Sequence, residues 1–282
     1  MKKRYFLAIS SLAVLTIAAC SDTATPISGT KEESNLTVQQ VFDKAIERQN
    51  SINSVHAVVD MNQVMEMNVE GQTIHFTTAS NLTMDVNQSP IAMYTKGTVG
   101  MNMVDEKMME VPLEMYMTEK DGFYMLNGKT NEWLKLPAEQ YDQMLAQTGA
   151  QADAAQQLEQ LKQFVDDFTF EQDNNDYKLT LTIEGEKFKE FIMAQMGTSL
   201  GETMEMSGNE LTNMTFEDSK YDIVIAKDTF DTKEIDMDLT ILMDVEGQQT
   251  KIENDANVVY SQFDKVERIT IPNEVKNKAI SQ

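Results

Sequence analysis

The feature that constrains this chain most is a pair of long segments in which apolar and polar residues alternate. The first segment has apolar residues at odd positions from Val55 to Val69, except Gln63, and the second repeats this pattern from Ile235 to Val245. Each then reaches the same four residues, Val-Glu-Gly-Gln, after which the apolar residues move to even positions. Successive residues of a β-strand point to opposite faces, and a two-residue turn joins odd positions to even ones. The pattern therefore predicts two long antiparallel hairpins, each with one apolar face.

The two-residue turn also predicts which residues face each other across the first hairpin. With residues 70–71 in the turn, Met67 lies opposite Ile74 and Met65 lies opposite Phe76. The identical tetrapeptides leave two explanations open, which are an internal duplication and the independent use of one turn sequence.

The rest of the chain adds shorter strands and a group of helices near the middle. A first helix is predicted over 37–50, with Asn35 or Thr37 as its cap. Many long strands with a few helices grouped between them predict an α+β fold with a large one-sided antiparallel sheet. The remaining predicted strands are 91–104, 109–118, 122–127, 132–136, 168–172, 176–184 and 220–229, and the other helices are 137–148, 152–166 and 186–197, with a loop over 198–218.

The N-terminus predicts export and lipid attachment. Residues 1–19 combine a basic start with an apolar run that is typical of a removable signal peptide. The run ends in Ile17-Ala18-Ala19-Cys20, which resembles a bacterial lipobox whose cysteine receives diacylglycerol. The alternative is a plain secretory signal with an incidental cysteine. Cys20 is the sole cysteine, so a disulfide framework is excluded and lipidation is favoured.

The segment that follows Cys20 predicts a tether, and the rest predicts one domain. Residues 21–35 contain little apolar surface, so we expect residues 20–35 to hold the domain flexibly, about 20 Å from the membrane. Residues 36–282 are predicted to form a single domain, which could consist of two related sheet halves. The expected location is the outer face of the cell membrane, although Ser21 would also permit outer-membrane sorting in a Gram-negative cell.

Composition excludes several classes of function. The net charge of −23 becomes −26 when residues 1–19, with three basic and no acidic residues, are removed. Such an acidic surface repels nucleic acid phosphates. Only two histidines are present, and no nucleophile, base and orienting group can be recognised together. We therefore expect neither catalysis nor a cofactor, and we expect no resident metal.

Several short motifs occur in an order that resembles one family of exported lipoproteins. The motifs are the lipobox, Ser54-Val55-His56, the stretch Tyr116-Met117 through Asp121-Gly122-Phe123-Tyr124-Met125, Asn127-Gly128-Lys129, Trp133-Leu134-Lys135-Leu136 and Ile271-Pro272-Asn273-Glu274-Val275. In this order they resemble the LolA-like lipoproteins, near the LppX and LprG branch and an uncharacterised Gram-positive group. The resemblance implies a curved antiparallel sheet, an open half-barrel, with helices on its concave face around an apolar cavity. It also implies a Gram-positive plasma membrane and a lipid or other hydrophobic ligand.

The 21 methionines recur as Met-x-Met pairs, which share one face of a strand. Three interpretations remain open, namely core packing, an adaptable apolar cavity, and a thioether Cu(I) site. A mixed His/Met copper site is disfavoured because His56 and His75 fall on the polar face, opposite Asp85 and Glu66 respectively. The candidate cavity-lining residues on the apolar face are Met61, Met65, Met67, Phe76, Met84, Met237, Ile241 and Met243.

Two functions follow as hypotheses. The first is a membrane-anchored, non-catalytic lipoprotein, expected to be a monomer, that binds a hydrophobic ligand in an apolar cavity. The second is a structural lipoprotein with a filled core, whose acidic face docks another envelope protein. Trp133 could stack on a ligand, but a strand tryptophan is more typical of packing.

Overall fold

The computed structural model describes residues 23–69, 72–103, 108–137, 154–183, 215–245 and 248–281, and a thirteen-stranded sheet dominates them. The elements are β1 (Thr25–Pro26), α1 (Val38–Ser51), β2 (Ser54–Val69), β3 (Gln72–Gln88), β4 (Ile91–Met103), β5 (Met109–Thr118), β6 (Gly122–Asn127), β7 (Glu132–Lys135), α2 (Ala154–Leu161), a 3-10 helix (Lys162–Asp167), β8 (Thr169–Gln172), β9 (Asp176–Ile183), β10 (Thr215–Ala226), β11 (Thr232–Val245), β12 (Gln248–Ser261), α3 (Asn273–Lys278) and β13 (Ile280–Ser281).

The sheet consists of two meanders that meet at its centre. The strand order is β1-β8-β9-β10-β11-β12-β2-β3-β4-β5-β6-β7-β13, so strands from opposite ends of the chain become neighbours. β12 and β2 pair antiparallel from Thr250 opposite Met67 to Ser261 opposite His56. The two predicted hairpins therefore lie side by side and form four long central strands.

The predicted register of the first hairpin is confirmed. Met67 lies opposite Ile74 and Met65 lies opposite Phe76. The second hairpin pairs in the same way, with Ile241 opposite Ile252. The Glu-Gly turn residues of both hairpins lie outside the described residues. The alternation therefore determines both the face and the register, because a slip of one residue would expose every apolar side chain.

The predicted fold class needs two corrections. The described residues are mostly β-strand with few helices, and the sheet is mixed rather than purely antiparallel. β1 runs parallel to β8, and β13 runs parallel to β7. These two-residue strands cover the edges of an open sheet, whose backbone groups would otherwise be free to pair with another chain. The predicted helices over 138–148 and 186–197, residues 198–214 of the predicted loop and the signal with Cys20 lie outside the described residues. The end of the loop prediction is wrong, because residues 215–218 form the start of β10.

The first helix begins where the sequence predicts. The Thr37 side chain accepts a hydrogen bond from the Gln40 backbone N–H, and the Gln40 side chain accepts one from the Thr37 N–H, which makes a capping box. The apolar positions at helical spacing form the buried stripe of α1, which consists of Val38, Val41, Phe42 and Ala45.

The largest core cluster joins the helices to one half of the sheet. It combines the stripe of α1 with side chains of α2, the 3-10 helix and the apolar face of β8–β12. A second cluster lies on the same face of β3–β6 and contains Val86, Met93, Met117 and Phe123. The α1 and α2 helices therefore cover the apolar face only where the first cluster lies.

A third cluster lies on the opposite face, near the end of the chain. Tyr124, Ile271 and Val275 are buried there, and Trp133 packs against them. The rings of Trp133 and Tyr116 are 5.8 Å apart between centroids. Core packing is thus confirmed for Trp133.

The segment predicted to be a flexible tether differs in the structure. Ala24 is only 4% exposed and belongs to the first core cluster, and β1 pairs with β8. Packing therefore begins well before residue 36. The physical reason is the buried side chain of Gln172, which supplies hydrogen-bond partners to this polar segment.

An ion-pair network ties the end of α1 to two distant turns. The Arg48 guanidinium contacts Asp231 at 2.7 Å and Asp264 at 2.8 Å. Asp264 also accepts a hydrogen bond from the Asn53 backbone N–H at 2.7 Å. The Asn53 backbone N–H, followed by Arg48, lowers the pKa of the Asp264 carboxyl below its ordinary value.

We expect the Asp264→Asn variant to lose stability at pH 7 and to lose less stability at pH 3. A carboxyl whose pKa is lowered by folding contributes stability above its unfolded pKa, and this contribution disappears as the pH falls through the folded pKa. The loss at pH 7 should be at most about 1 kcal/mol, because solvent reaches the pair. Asparagine tolerates the positive φ of 58° at this position. Urea unfolding at both pH values tests this, and an unchanged difference at pH 3 would contradict the electrostatic origin.

Candidate functional site

Methionine is concentrated on one face of the sheet. The structure describes the side chains of thirteen methionines, and twelve of them share the apolar face, which we call the methionine face. These twelve residues are Met61, Met65, Met67, Met84, Met93, Met101, Met109, Met115, Met117, Met125, Met237 and Met243. The other one, Met108, precedes β5.

The methionine face forms ordered rows across the four central strands. Each row takes one residue from β11, β12, β2 and β3, in that order. The rows at the centre are Met237–Ala256–Met61–Ser80, Ile241–Ile252–Met65–Phe76 and Met243–Thr250–Met67–Ile74. The backbone register thus brings the predicted residues of two distant hairpins together on one surface.

The predicted lining residues fall into three groups when their packing is compared. Ile241 and Met243 are buried in the first core cluster, and the half-buried Met65 packs against it. Met84 packs against the second cluster. Among the described residues, neither cluster includes the four remaining lining residues, which are Met61, Met67, Phe76 and Met237. These four half-buried side chains mark the candidate site, between the two clusters.

The candidate site is electrically neutral. No Asp, Glu, Lys or Arg occupies the methionine face within 55–67, 74–86, 235–243 or 250–260. Two tyrosines do occupy it, and burial raises the pKa of both Tyr221 and Tyr260 to about 12. Both phenols are therefore uncharged at pH 7, and the face presents apolar surface with a few neutral polar groups.

Two buried hydroxyls on the methionine face lack a hydrogen-bond partner. Ser80 is 8% exposed and Thr95 is fully buried, and neither side-chain oxygen is hydrogen-bonded. Ser80 lies beside Met61, and Thr95 lies between Met84 and Met115. A buried polar group without a partner costs free energy and requires an explanation. These hydroxyls could hydrogen-bond the polar end of an otherwise apolar ligand.

Sequence reasoning missed half of the methionine face. Met101 and Met115, which belong to Met-x-Met pairs, are not among the predicted lining residues. The β3–β4 register, in which Thr78 faces Met101, places them on the same face as the central hairpins. The alternation of apolar and polar positions continues beyond the Ser89-Pro90 turn and could have identified this face in β4 and β5. Alternation cannot show which of these side chains are buried in the core.

The opposite face of the sheet is acidic, and two surface cavities combine its residues with residues of the methionine face. One cavity, of about 460 Å³, is bordered by polar residues such as Glu66, Asp244 and Lys251, and also by Met67, Met243 and Thr250. The other, of about 300 Å³, is bordered by polar residues such as Asp60, Asn81 and Asp255, and also by Met61, Ser80 and Met108. Their mixed lining distinguishes both from the purely apolar cavity that the sequence predicted.

Three carboxylates repel one another near the centre of the acidic face, at Asp236, Asp238 and Asp255. Asp238 lies opposite Asp255 on one side and Lys220 on the other. Desolvation, together with Asp236 and Asp255, raises the pKa of the Asp238 carboxyl, while Lys220 lowers it. A basic partner would relieve this repulsion.

The histidines occupy the polar positions that the alternation predicted. His56 lies 2.6 Å from the Asp85 carboxylate, and His75 lies 3.1 Å from the Glu66 carboxylate. Both pairs are cross-strand neighbours in the first hairpin. They are on the face opposite Met65, so a mixed His/Met copper site does not form in the first hairpin.

In the part of the chain that the structure describes, no helix combines the length and apolar character needed to cross a bilayer. Within the same residues, no three His, Cys, Asp or Glu side chains are grouped so that they could hold a metal ion.

Comparison with known proteins identifies a family but no activity. A family model described as "Family of unknown function (DUF6612)" matches residues 37–280. No curated protein matches. One solved structure with distant similarity is a beta-barrel-like protein of domain of unknown function DUF1849 from Brucella abortus. The two sequences are 6% identical, the match covers 75% of this chain and 100% of that chain, and the TM-score is 0.22. Another is a DUF1329 family protein from Desulfovibrio piger ATCC 29098, with 11% identity, 82% and 95% coverage, and a TM-score of 0.17.

Proposed function

We propose that this chain, which belongs to the DUF6612 family of unknown function, is a membrane-anchored lipoprotein that binds a hydrophobic ligand on its methionine face. The observation that carries the proposal is the placement of twelve methionines on one uncharged face. Methionine is unbranched and polarizable, so a surface rich in it can adapt to ligands of different shape. Binding of this kind requires no catalytic residue.

Among the described residues, packing is incomplete between the two core clusters, and this supports a ligand rather than a filled core. Met61, Met67, Phe76 and Met237 remain half-buried, although they lie near the centre of the strand order. Covering such surface contributes about 25 cal/mol for each Å² removed from water. The unpartnered hydroxyls of Ser80 and Thr95 would orient a ligand that has one polar end.

The anchor and the curvature of the sheet are further parts of the proposal. Cys20 ends a lipobox-like sequence, and a diacylglycerol group there would hold the protein on the outer face of a Gram-positive plasma membrane. The sheet would curve around α1 and α2 in a LolA-like manner, with the methionine face on the concave side. Both helices contact that face through the first core cluster.

Native mass spectrometry, followed by extraction with organic solvent, tests the proposal directly. We expect a bound hydrophobic compound, or uptake of a fluorescent fatty acid by the purified protein. A protein that is free of ligand and takes up no fatty acid would overturn the binding function.

Substitutions of neighbouring residues on the two faces locate the binding site. We expect Met61→Trp to weaken fatty-acid binding about tenfold, which corresponds to about 1.4 kcal/mol, because the larger ring occupies the ligand's place. Asn62→Trp places the same side chain on the acidic face and should leave binding unchanged. Met61→Leu conserves the volume and should also bind normally. Equal effects of the two tryptophan variants would exclude the methionine face.

A second function is favoured by the acidic face. The row of Asp222, Asp236 and Asn257 adjoins the row of Lys220, Asp238 and Asp255, so negative charge is concentrated across β10–β12. We propose as the alternative that this surface docks a basic envelope protein. A photo-crosslinking residue at Asp238 should then capture a partner in a salt-sensitive manner, and capture that is unaffected by salt would argue against electrostatic docking.

A further inference from the structure

The N-terminal segment is bound to the edge of the sheet by a dense set of hydrogen bonds. Residues 25–26 pair with β8, and the Ile27 backbone N–H donates to the Gln172 carbonyl at 2.9 Å. Farther along, the Lys31 N–H donates to the Asn174 side chain at 2.7 Å. The segment therefore follows the fold from Thr23 onward instead of extending into solvent.

The side chain of Gln172 is the centre of this attachment. It is 1% exposed, and its amide nitrogen donates to the Ala24 carbonyl at 2.7 Å and to the Ser34 carbonyl at 3.1 Å. Its amide oxygen accepts from the Ser34 backbone N–H at 2.8 Å. A buried amide whose oxygen and nitrogen both bond one segment holds that segment in a defined position, because releasing it would leave these groups without partners.

A second set of contacts binds both ends of the N-terminal segment to the rest of the fold. The Tyr177 hydroxyl lies 2.6 Å from the Ser34 hydroxyl, and the Lys227 ammonium donates to the Glu32 carbonyl at 2.9 Å. Thr23 forms an isolated bridge with Thr37, the residue that caps α1. The start of the described chain is thus fixed beside the start of α1.

The distance from this fixed point to the anchor is short. Cys20 precedes Thr23 by three residues, which span at most about 10 Å when fully extended. A flexible chain over residues 21–35 would instead allow a separation of about 20 Å and free rotation of the domain. With the segment bound, the membrane can reach only the part of the surface near Thr23.

We propose that the bound N-terminal segment holds the domain against the membrane in one orientation, with the β8 edge and the start of α1 facing the bilayer. This inference rests on the proposed lipid anchor at Cys20. It assigns the β8 edge as the surface that meets lipid, and it makes Gln172 a positioning residue for the whole domain. The β7 edge, at the other end of the strand order, then carries no membrane contact.

The experiment uses the full protein, exported by a bacterial host and reconstituted into phosphatidylglycerol–phosphatidylcholine nanodiscs. A dye is coupled to an azide-bearing amino acid at Asp167, beside β8, or at Lys129, in the exposed β6–β7 turn. Energy transfer to a headgroup acceptor gives the separation of each dye from the bilayer.

Mass spectrometry of the N-terminal peptide reports whether Cys20 is acylated. If Cys20 carries no acyl group, it is coupled to a maleimide phospholipid, so that orientation is measured even though the proposed natural anchor has failed.

We expect two different separations in the wild-type protein, with the dye at Asp167 nearer to the bilayer. The Gln172→Leu variant should release the segment, and the separation between the folded domain and the bilayer should grow from about 10 Å, set by the three residues before Thr23, to about 20 Å, set by a free chain over 21–35. The two dyes should then report the same broad separation. Equal separations in the wild-type protein, or no change in the variant, would overturn the fixed orientation.

Two further variants separate release of the segment from loss of the fold. Gln163→Leu makes the same substitution in the exposed 3-10 helix and should leave both separations unchanged. Ile27→Pro removes the backbone N–H that bonds β8, while Gln172 stays in place. It should broaden the separations less than Gln172→Leu does, because the Gln172 bonds to Ala24 and Ser34 remain. Equal separations of the two dyes in the wild-type protein would contradict the proposal even if Gln172→Leu cannot be purified.

Discussion

Replacing Phe42 with alanine should lower the free energy of unfolding by about 3–5 kcal/mol, which is the usual cost of deleting a buried aromatic ring. Phe42 is fully buried on α1, and its ring centroid is 5.3 Å from that of Phe168. The first core cluster joins this ring to α2 and to the apolar face of β9–β12. Its loss would leave a cavity where the helices meet the sheet.

The control for this prediction is Glu47→Ala, which shortens an exposed side chain of the same helix and should change stability by no more than about 0.5 kcal/mol. Guanidinium unfolding followed by circular dichroism measures both variants. We also expect the Phe42→Ala transition to remain cooperative, because the second cluster belongs to the same continuous sheet. A loss below about 1 kcal/mol would mean that α1 contributes little to the fold.

The central hairpins could be predicted from the sequence because their information is local. Alternation selects the face, and a two-residue turn selects the register, so the position of Met65 opposite Phe76 followed from counting. The first helix was equally local, since Thr37 provides the cap and the apolar stripe provides the face. In both cases the pattern and the turn or cap indicate the same structure.

The order of strands could not be predicted in this way. β2 pairs with β12 across nearly the whole chain, and nothing in the alternation of either strand identifies the other. The N-terminal segment was mistaken for a tether for a related reason. Its composition is polar, and its partner, Gln172, is about 140 residues away in sequence. Long-range partners of this kind are not visible in composition.

The candidate site was only partly predictable. Parity places Ile241 and Met61 on the same face, but the first lies in a core cluster and the second lies in neither described cluster. Whether a residue of this face is buried depends on whether a helix packs over it. The α1 helix packs against the β11–β12 side of the face and not against the whole of it. Alternation therefore identifies the surface, whereas tertiary packing determines which part of it remains for a ligand.

A glycine on the methionine face provides the last prediction. Gly97 lies opposite Leu82, and a Cβ atom added there would lie 2.0 Å from the backbone oxygen of Asn81. Real Cβ atoms do not approach that closely, so the β3 and β4 backbones would have to move apart. We expect Gly97→Ala to lower the free energy of unfolding by about 3 kcal/mol, near the upper end of the usual range for overpacking.

The Gly100→Ala variant, in the same strand, separates steric clash from any general effect of adding a methyl group. Its Cβ would meet the Met108 side chain at 2.8 Å, and the flexible end of a methionine can rotate away. We therefore expect a change below about 1 kcal/mol, since the alanine also restricts the unfolded chain. Thermal unfolding of both variants measures the two losses of stability. Equal losses would mean that the clash with the Asn81 backbone oxygen is not what makes Gly97→Ala costly, because the Gly100→Ala variant has no such clash with backbone.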